Sequence, residues 1–469
     1  MRRGRFTIST MKKLFEMLLG GLLLMAFVSC SSQQASAGDE RLKWNQSTTV
    51  GDFEKFGQKD VRWEAPVKEA LTRYAKIRAG DDFDQETKLF LIGSAAEDPV
   101  KAGCKDPLVN FLYCNQVLQK SDKPLKEKQA AFSAMAETMQ NSGYSPVRKF
   151  YANLFAAGML WTRGETNLWQ EVVKFRRAAI GNLAAALEDK TMPVEEAYHA
   201  AHQLFQVLER NNKELTDAYE TIEKPLFKNW PKAGTAYLIK GEFNLKYAWL
   251  GRGHGTADRT TDEQWKNFKE RLAAAETALN KAWSLNPKDP LIPTVMMSVV
   301  EGLDKELPEL DKWFARAMAL DTNNVAACRQ KLHFLLPQWN GSAEEMIAFG
   351  RECVASTKWG GHVPIILVDA HADIARALPR DGRSRYWLAP GIWPDLKAAY
   401  EKFALLNADE TRFRYAYVEY AVRCGQWAEF DRIILEIQND GADFNFNYFG
   451  GKTEFEKLVA MSKEMQSRK

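Results

Sequence analysis

The stretch Glu276-Thr-Ala-Leu-Asn-Lys-Ala-Trp-Ser-Leu-Asn-Pro-Lys-Asp-Pro290 constrains the fold more than any other. It ends a helix on small and apolar residues (Ala275, Leu279, Ala282, Leu285) and then stops at Asn286-Pro287. The same ending returns about 35 residues on, where Phe314, Ala317 and Leu320 keep the spacing and Asp321 takes the place of Asn286. A weaker copy is Lys402-Phe-Ala-Leu-Leu-Asn-Ala408. A helix-pair ending that recurs at about 34 residues predicts stacked helix pairs, each burying the apolar face that its neighbour exposes.

The rest of the chain agrees with an all-α class. Val67, Ala70, Leu71, Tyr74 and Ile77 follow a helical period after Pro66. Asp106-Pro107 and Ser145-Pro146 place a capping residue before a proline in the first turn. Ser342-Ala-Glu-Glu345 reads as a capping box. Gly241 lies in an apolar helix and predicts a close helix approach. No sustained alternation of apolar and polar residues reads as a strand. The predicted fold is therefore a helical-repeat, tetratricopeptide-like α-solenoid with additional N-terminal helices. The predicted organisation is a signal peptide (1–29), a polar tether (30–50), an N-terminal helical region (51–230), the repeats (231–442), and a C-terminal loop with a capping helix (443–469).

The N-terminus reads as a targeting segment. Basic residues precede the apolar run Met17 to Val28, which is too short to span a bilayer and suits a signal peptide. Phe27-Val28-Ser29-Cys30 matches a bacterial lipoprotein box in outline, with Phe27 in place of the usual Leu. Cys30 is thus the expected site of lipidation, and Ala35-Ser36-Ala37 offers an ordinary cleavage site for soluble export instead. The formal net charge of +3 comes from this segment: Arg2, Arg3, Arg5, Lys12 and Lys13 stand against Glu16. Of 64 basic and 61 acidic residues, 59 and 60 lie beyond it. That balance, with no run of Lys or Arg, argues against nucleic acid as a partner.

Three stretches together resemble a family: Ala102-Gly-Cys-Lys-Asp-Pro-Leu-Val109, Tyr247-Ala-Trp-Leu-Gly-Arg-Gly-His-Gly-Thr-Ala257, and Lys331 to Met346 with its Leu-Leu-Pro-Gln-Trp-Asn-Gly core. The chain is similar over most of residues 60–460 to a bacterial family of uncharacterised exported tetratricopeptide-like proteins with a domain of unknown function. The resemblance implies an α-helical repeat fold and brings no catalytic residues.

Chemistry candidates are few. His362, Asp369, His371 and Asp373 are suitable ligand types for a divalent metal in an exported hydrolase. On a helix, however, residues two apart point to different sides, so only Asp369 and Asp373 share a face. His199 and His202 share a helix face and read as a surface or inter-helix pair. The glycine-rich stretch from Gly251 to Gly255 lacks the strand and the Lys-Ser/Thr of a phosphate loop. It reads as an inserted loop whose Arg252 and His254 are candidate partner contacts. Tyr386 to Pro394, with Trp387 and Trp393, is aromatic and proline-rich and is expected to break the helical pattern and offer a partner-binding edge. Five cysteines follow Cys30 and form no CxxC pair. The expectation is a non-catalytic scaffold of the cell envelope, without cofactor, that binds a peptide or protein.

Overall fold

The computed structural model describes residues 33–80, 85–161, 167–208, 211–253, 259–339, 341–439 and 444–468. Among these residues the regular structure is helical throughout and contains no strand. They divide between two compact units, one ending at Leu303 and one beginning at Asp304. That division falls inside the stretch 231–442, which the sequence presents as one run of repeats.

The first unit opens with α1 (Gln33–Gln46), a π-helical turn (Ser47–Gly51) and α2 (Asp52–Phe56). Most of the expected polar tether is therefore helix. Its residues Trp44, Asn45, Thr48 and Thr49 are buried, because the polar ones among them find buried partners. Then follow α3 (Glu64–Ala79), α4 (Gln85–Lys101), α5 (Pro107–Gln116), α6 (Leu125–Gln140), α7 (Pro146–Leu160) and α8 (Trp169–Ala186). The unit closes with α9 (Val194–Leu208), α10 (Asn212–Asn229), α11 (Gly234–Arg252), α12 (Asp262–Leu285) and α13 (Leu291–Gly302). Each of α8, α10 and α12 packs against the helix before it and the helix after it. Helices α7, α9, α11 and α13 lie side by side in one layer, and α8 lies against α10.

The second unit holds α14 (Leu307–Leu320), α15 (Val325–Phe334), α16 (Ala343–Ala355), α17 (Ile366–Ala377), α18 (Arg380–Trp387), α19 (Ile392–Leu406), α20 (Phe413–Arg423), α21 (Trp427–Asn439) and α22 (Lys452–Ser467). Here α15, α17 and α19 lie side by side, with α16 packed on all three. Its last helices enclose an apolar cluster that includes Leu396, Tyr417, Val418, Phe430, Ile433 and Phe455.

The helix stops read from the sequence share one geometry. Helices α12, α14 and α19 end at Leu285, Leu320 and Leu406, and the next residues, Asn286, Asp321 and Asn407, have φ of −141°, −140° and −136°. Each donates its backbone N–H to the carbonyl four residues back: Ala282, Ala317 and Phe403. The Asn286 and Asp321 side chains then accept from the N–H two residues on, at 3.3 and 2.9 Å. A short polar side chain that satisfies the backbone outside the helix is what ends it there. Asp106 caps α5 by accepting from Leu108 and Val109. Ser342 caps α16 by accepting from Glu345. At Gly241 the helices α11 and α12 are so close that a Cβ would stand 2.6 Å from Leu279 Cγ.

Candidate functional site

The most heavily charged interior lies in the first unit, where α1, α3, α7 and α9 meet. Glu196, on α9 and 1% exposed, accepts from Arg41 Nε (3.0 Å), Arg41 Nη2 (2.9 Å) and Asn45 Nδ2 (3.0 Å). Arg41 Nη2 also donates to the Arg78 carbonyl at 2.9 Å. Arg78 donates to the Tyr151 hydroxyl and stacks over that ring at 4.6 Å. Arg148, 2% exposed, donates Nε to the Thr48 carbonyl (3.0 Å) and Nη2 to Asn45 Oδ1 (3.0 Å) and Thr48 Oγ1 (2.6 Å). Thr48 belongs to the π-helical turn, a backbone form in which the regular ladder is locally rearranged. Burial pushes the Glu196 carboxyl up, but the Arg78 and Arg41 guanidiniums outweigh it and hold the pKa below its ordinary value. Burial lowers the Arg148 pKa. Arg148 Nη1 and Arg78 Nε are buried with no hydrogen-bond partner. The knot fastens α1 to the body of the unit.

Helix α9 continues this polar region along its length. Glu195, His199, His202 and Gln206 recur at four, three and four residues and so share one face, half-buried. His202 Nδ1 lies 2.6 Å from Glu242 Oε1 on α11, and Gln206 Nε2 lies 3.3 Å from His202 Nε2. Burial pushes the Glu242 carboxyl up; His202, Lys246 and Tyr198 more than reverse it. Desolvation lowers the His199 pKa to about 3, although the side chain is half-buried. Asp289, also half-buried, is raised to about 6 by burial and then by Glu195. The α9–α11 face is therefore half-buried and lined by ionisable groups.

In the second unit the four metal-type residues have no partner in common. His362 Nε2 pairs with Glu410 at 2.7 Å, and its ring lies against Phe403. Asp369 pairs with Arg329 at 2.9 Å. Asp373 pairs with Arg376 on its own helix. His371 lies between the Tyr386 hydroxyl (2.7 Å from Nδ1) and Asp395 Oδ2 (3.1 Å from Nε2). Asp369, His371 and Asp373 are all on α17, so the helical twist separates the middle one from its neighbours. Among the described residues no group of three or more His, Cys, Asp or Glu side chains is placed to hold a metal.

Desolvation lowers the His371 pKa against an upward pull from Asp395, and burial raises Tyr386 to about 12. Asp395 is held in turn by Arg351, with Nε at 3.0 Å and Nη2 at 2.9 Å. A neutral imidazole that donates from Nε2 to Asp395 and accepts at Nδ1 from Tyr386 satisfies all three groups. The trio joins α17, α18 and α19. Sequence reasoning flagged His371 but not Tyr386 and Asp395 as its partners, because they reach it from other helices.

Of the partner-contact candidates, Arg252 ends α11 half-buried, with its guanidinium 5.6 Å from the Trp249 ring and 5.1 Å from the Trp265 ring. His254 and Cys30 lie outside the described residues. Trp387 is the last residue of α18 and is only 6% exposed, packed beside Tyr386 and Tyr420, so it forms core rather than a partner-binding edge. Trp393 is half-buried and stacks on Tyr417 at 5.5 Å. The proline-rich stretch is helical on both sides of a short turn, because Pro394 occupies the first turn of α19, where its missing N–H has no partner to lose. No helix among the described residues is long and apolar enough to cross a membrane. No family model and no curated protein matches the chain.

Proposed function

We propose that this chain is a non-catalytic, tetratricopeptide-like scaffold of the bacterial cell envelope, exported and anchored through lipid on Cys30, that binds a peptide or protein segment along the polar α9–α11 face. The observation that carries the reading is the α9 stripe: Glu195, His199, His202 and Gln206 share one half-buried face, with His202 set against Glu242 of α11. Such a surface offers partly ordered donors and acceptors with which an extended segment can pair. The negative charge of Glu195 acts on Asp289, so a partner that brings Lys or Arg to them relieves that repulsion. The alternation of helices within the unit, with every second helix in one layer, supports the repeat architecture.

A photocrosslinking amino acid at position 202, compared with one at exposed Lys281 on α12, tests the binding reading in cells. A discrete adduct from position 202 that position 281 does not give is the expected result. The same adducts from both positions, or none from either, would overturn it. Metabolic labelling with an alkyne fatty acid tests the anchor separately: label should enter the chain and be lost in Cys30→Ala. An unlabelled chain removes the anchor and leaves the binding reading untouched.

A further inference from the structure

The hairpin of α15 and α16 carries a pair of cysteines that face one another. Lys331 on α15 reaches the Phe349 ring on α16, with Nζ 4.9 Å from its centroid. One turn back along α15 and one turn on along α16, the same two faces set the buried side chains of Cys328 and Cys353 towards one another, near enough for the Cys328 thiol to hold the Cys353 pKa up. Two contacts whose numbers rise on one helix and fall on the other are the register of antiparallel helices, so the cysteines are paired by the packing and not by chance approach. Cys328 Sγ also donates to Met318 Sδ on α14, at 3.7 Å. The cysteines are 0% and 1% exposed, so no solvent separates them. Both are thiols in this structure.

We propose that Cys328 and Cys353 are a structural disulfide pair, oxidised as the chain folds, that locks α15 to α16 and closes the loop of residues 329–352. The inference stands on the hairpin alone and not on the binding reading. The oxidant is a thiol–disulfide exchange donor, either a small-molecule disulfide or a protein one. One cysteine thiolate attacks a donor sulfur, breaking the donor S–S bond and expelling a donor thiolate. The second cysteine thiolate then attacks the mixed disulfide, forms the Cys328–Cys353 bond and expels the other donor thiolate. The protein loses two protons and two electrons, and the donor leaves as two thiols. The folded hairpin opposes this exchange. Its sulfurs are out of a donor's reach, and the Cys328 thiol, together with burial, raises the Cys353 pKa, so little thiolate forms. Oxidation therefore precedes closure of the hairpin, and the closed, reduced hairpin resists it.

The test is to refold the full chain from denaturant in a mixture of oxidised and reduced glutathione, alkylate the remaining thiols, and map the digest by mass spectrometry. The expected result is one cross-linked species joining the Cys328 and Cys353 peptides, with Cys104, Cys114 and Cys424 alkylated. Folded reduced protein given the same mixture should form it at least tenfold more slowly. The oxidised chain should melt several degrees above the same chain after reduction, and Cys353→Ala should show no such difference. Alkylation of both Cys328 and Cys353 after oxidative refolding overturns the proposal, as does a bridge to any other cysteine. The map is read on the unaltered chain, so a variant that fails to fold does not affect it.

Discussion

The two polar interiors solve one problem in opposite ways. In the first unit, α1, α3, α7 and α9 are joined through three guanidiniums and one carboxylate. In the second, α17, α18 and α19 are joined through His371, whose imidazole is held neutral between Tyr386 and Asp395. Their charge also sits differently. Glu196 is 1% exposed, whereas the Arg351 that completes the second arrangement is 60% exposed at its side chain. A buried ionic junction is held by its last counter-charge, because each ion left unpaired in a low-dielectric interior costs several kcal/mol. A neutral junction risks only unmade hydrogen bonds. The comparison ranks the consequences of breaking each one.

The largest effect belongs to Glu196→Ala. It leaves Arg41 and Arg78 without their shared carboxylate, and a loss of about 3–5 kcal/mol is expected in chemical denaturation of the first unit. A loss under about 1 kcal/mol would mean that the guanidiniums are adequately held by the backbone carbonyls, Asn45 and Tyr151, and the contrast with the second unit would collapse. Next comes His371→Leu. It removes a neutral hydrogen-bonding group and leaves Asp395 still paired with Arg351, so a smaller loss of about 1–3 kcal/mol is expected. If His371→Leu proves the costlier of the two, burial of charge is not what separates these junctions.

Acid sharpens the same contrast. Both Glu196 and His371 have folded pKa values below their ordinary ones, so each contributes stability above its unfolded pKa and loses it as pH falls through the folded value. For His371 the loss begins below about 6.5, and for Glu196 only below about 4.3. His199, lowered to about 3, gives the first unit a histidine-driven loss as well. Asp289, raised to about 6, acts in the reverse sense: its contribution is complete below the unfolded value and is lost as pH rises through 6. Denaturation curves of His371→Leu between pH 7 and 5 should be flatter than those of the parent chain. Glu196→Gln should differ from the parent in slope only below about pH 4.5. A change of slope in the same window for both would show that one titration governs both units.

The sequence made some of these features visible and hid others for definite reasons. The stops after Leu285, Leu320 and Leu406 were legible because a helix end needs only a few consecutive residues, and Asn or Asp supplies the capping chemistry itself. Gly241 was legible because a glycine in an apolar helix marks close approach, and Leu279 does fill that space. The ionic knot was not legible: Arg41 and Glu196 are 155 residues apart and each alone looks like a solvated charge. His371 stood out as a metal-type residue because ligand type can be read from sequence, whereas its real partners arrive from α18 and α19. Trp387 was misread because an aromatic and proline-rich stretch resembles a loop, yet Pro394 falls where a helix tolerates proline.

The smallest effect tests the neutral junction most finely. Arg351 binds Asp395 through two nitrogens but is 60% exposed, so Arg351→Ala should change stability by no more than about 1 kcal/mol and by less in high salt. Its charge nevertheless reaches the imidazole, because the positive field of Arg351 is among the influences that lower the His371 pKa. Removing it leaves the Asp395 carboxylate facing His371 unopposed, and an upward shift in the His371 titration is expected by NMR. If stability is unchanged while the titration moves up, Arg351 sets the protonation of the junction without holding it together. If the titration stays in place, the neutrality of His371 is due to desolvation by α18 and α19 alone, and the two interiors differ in burial rather than in how they arrange charge.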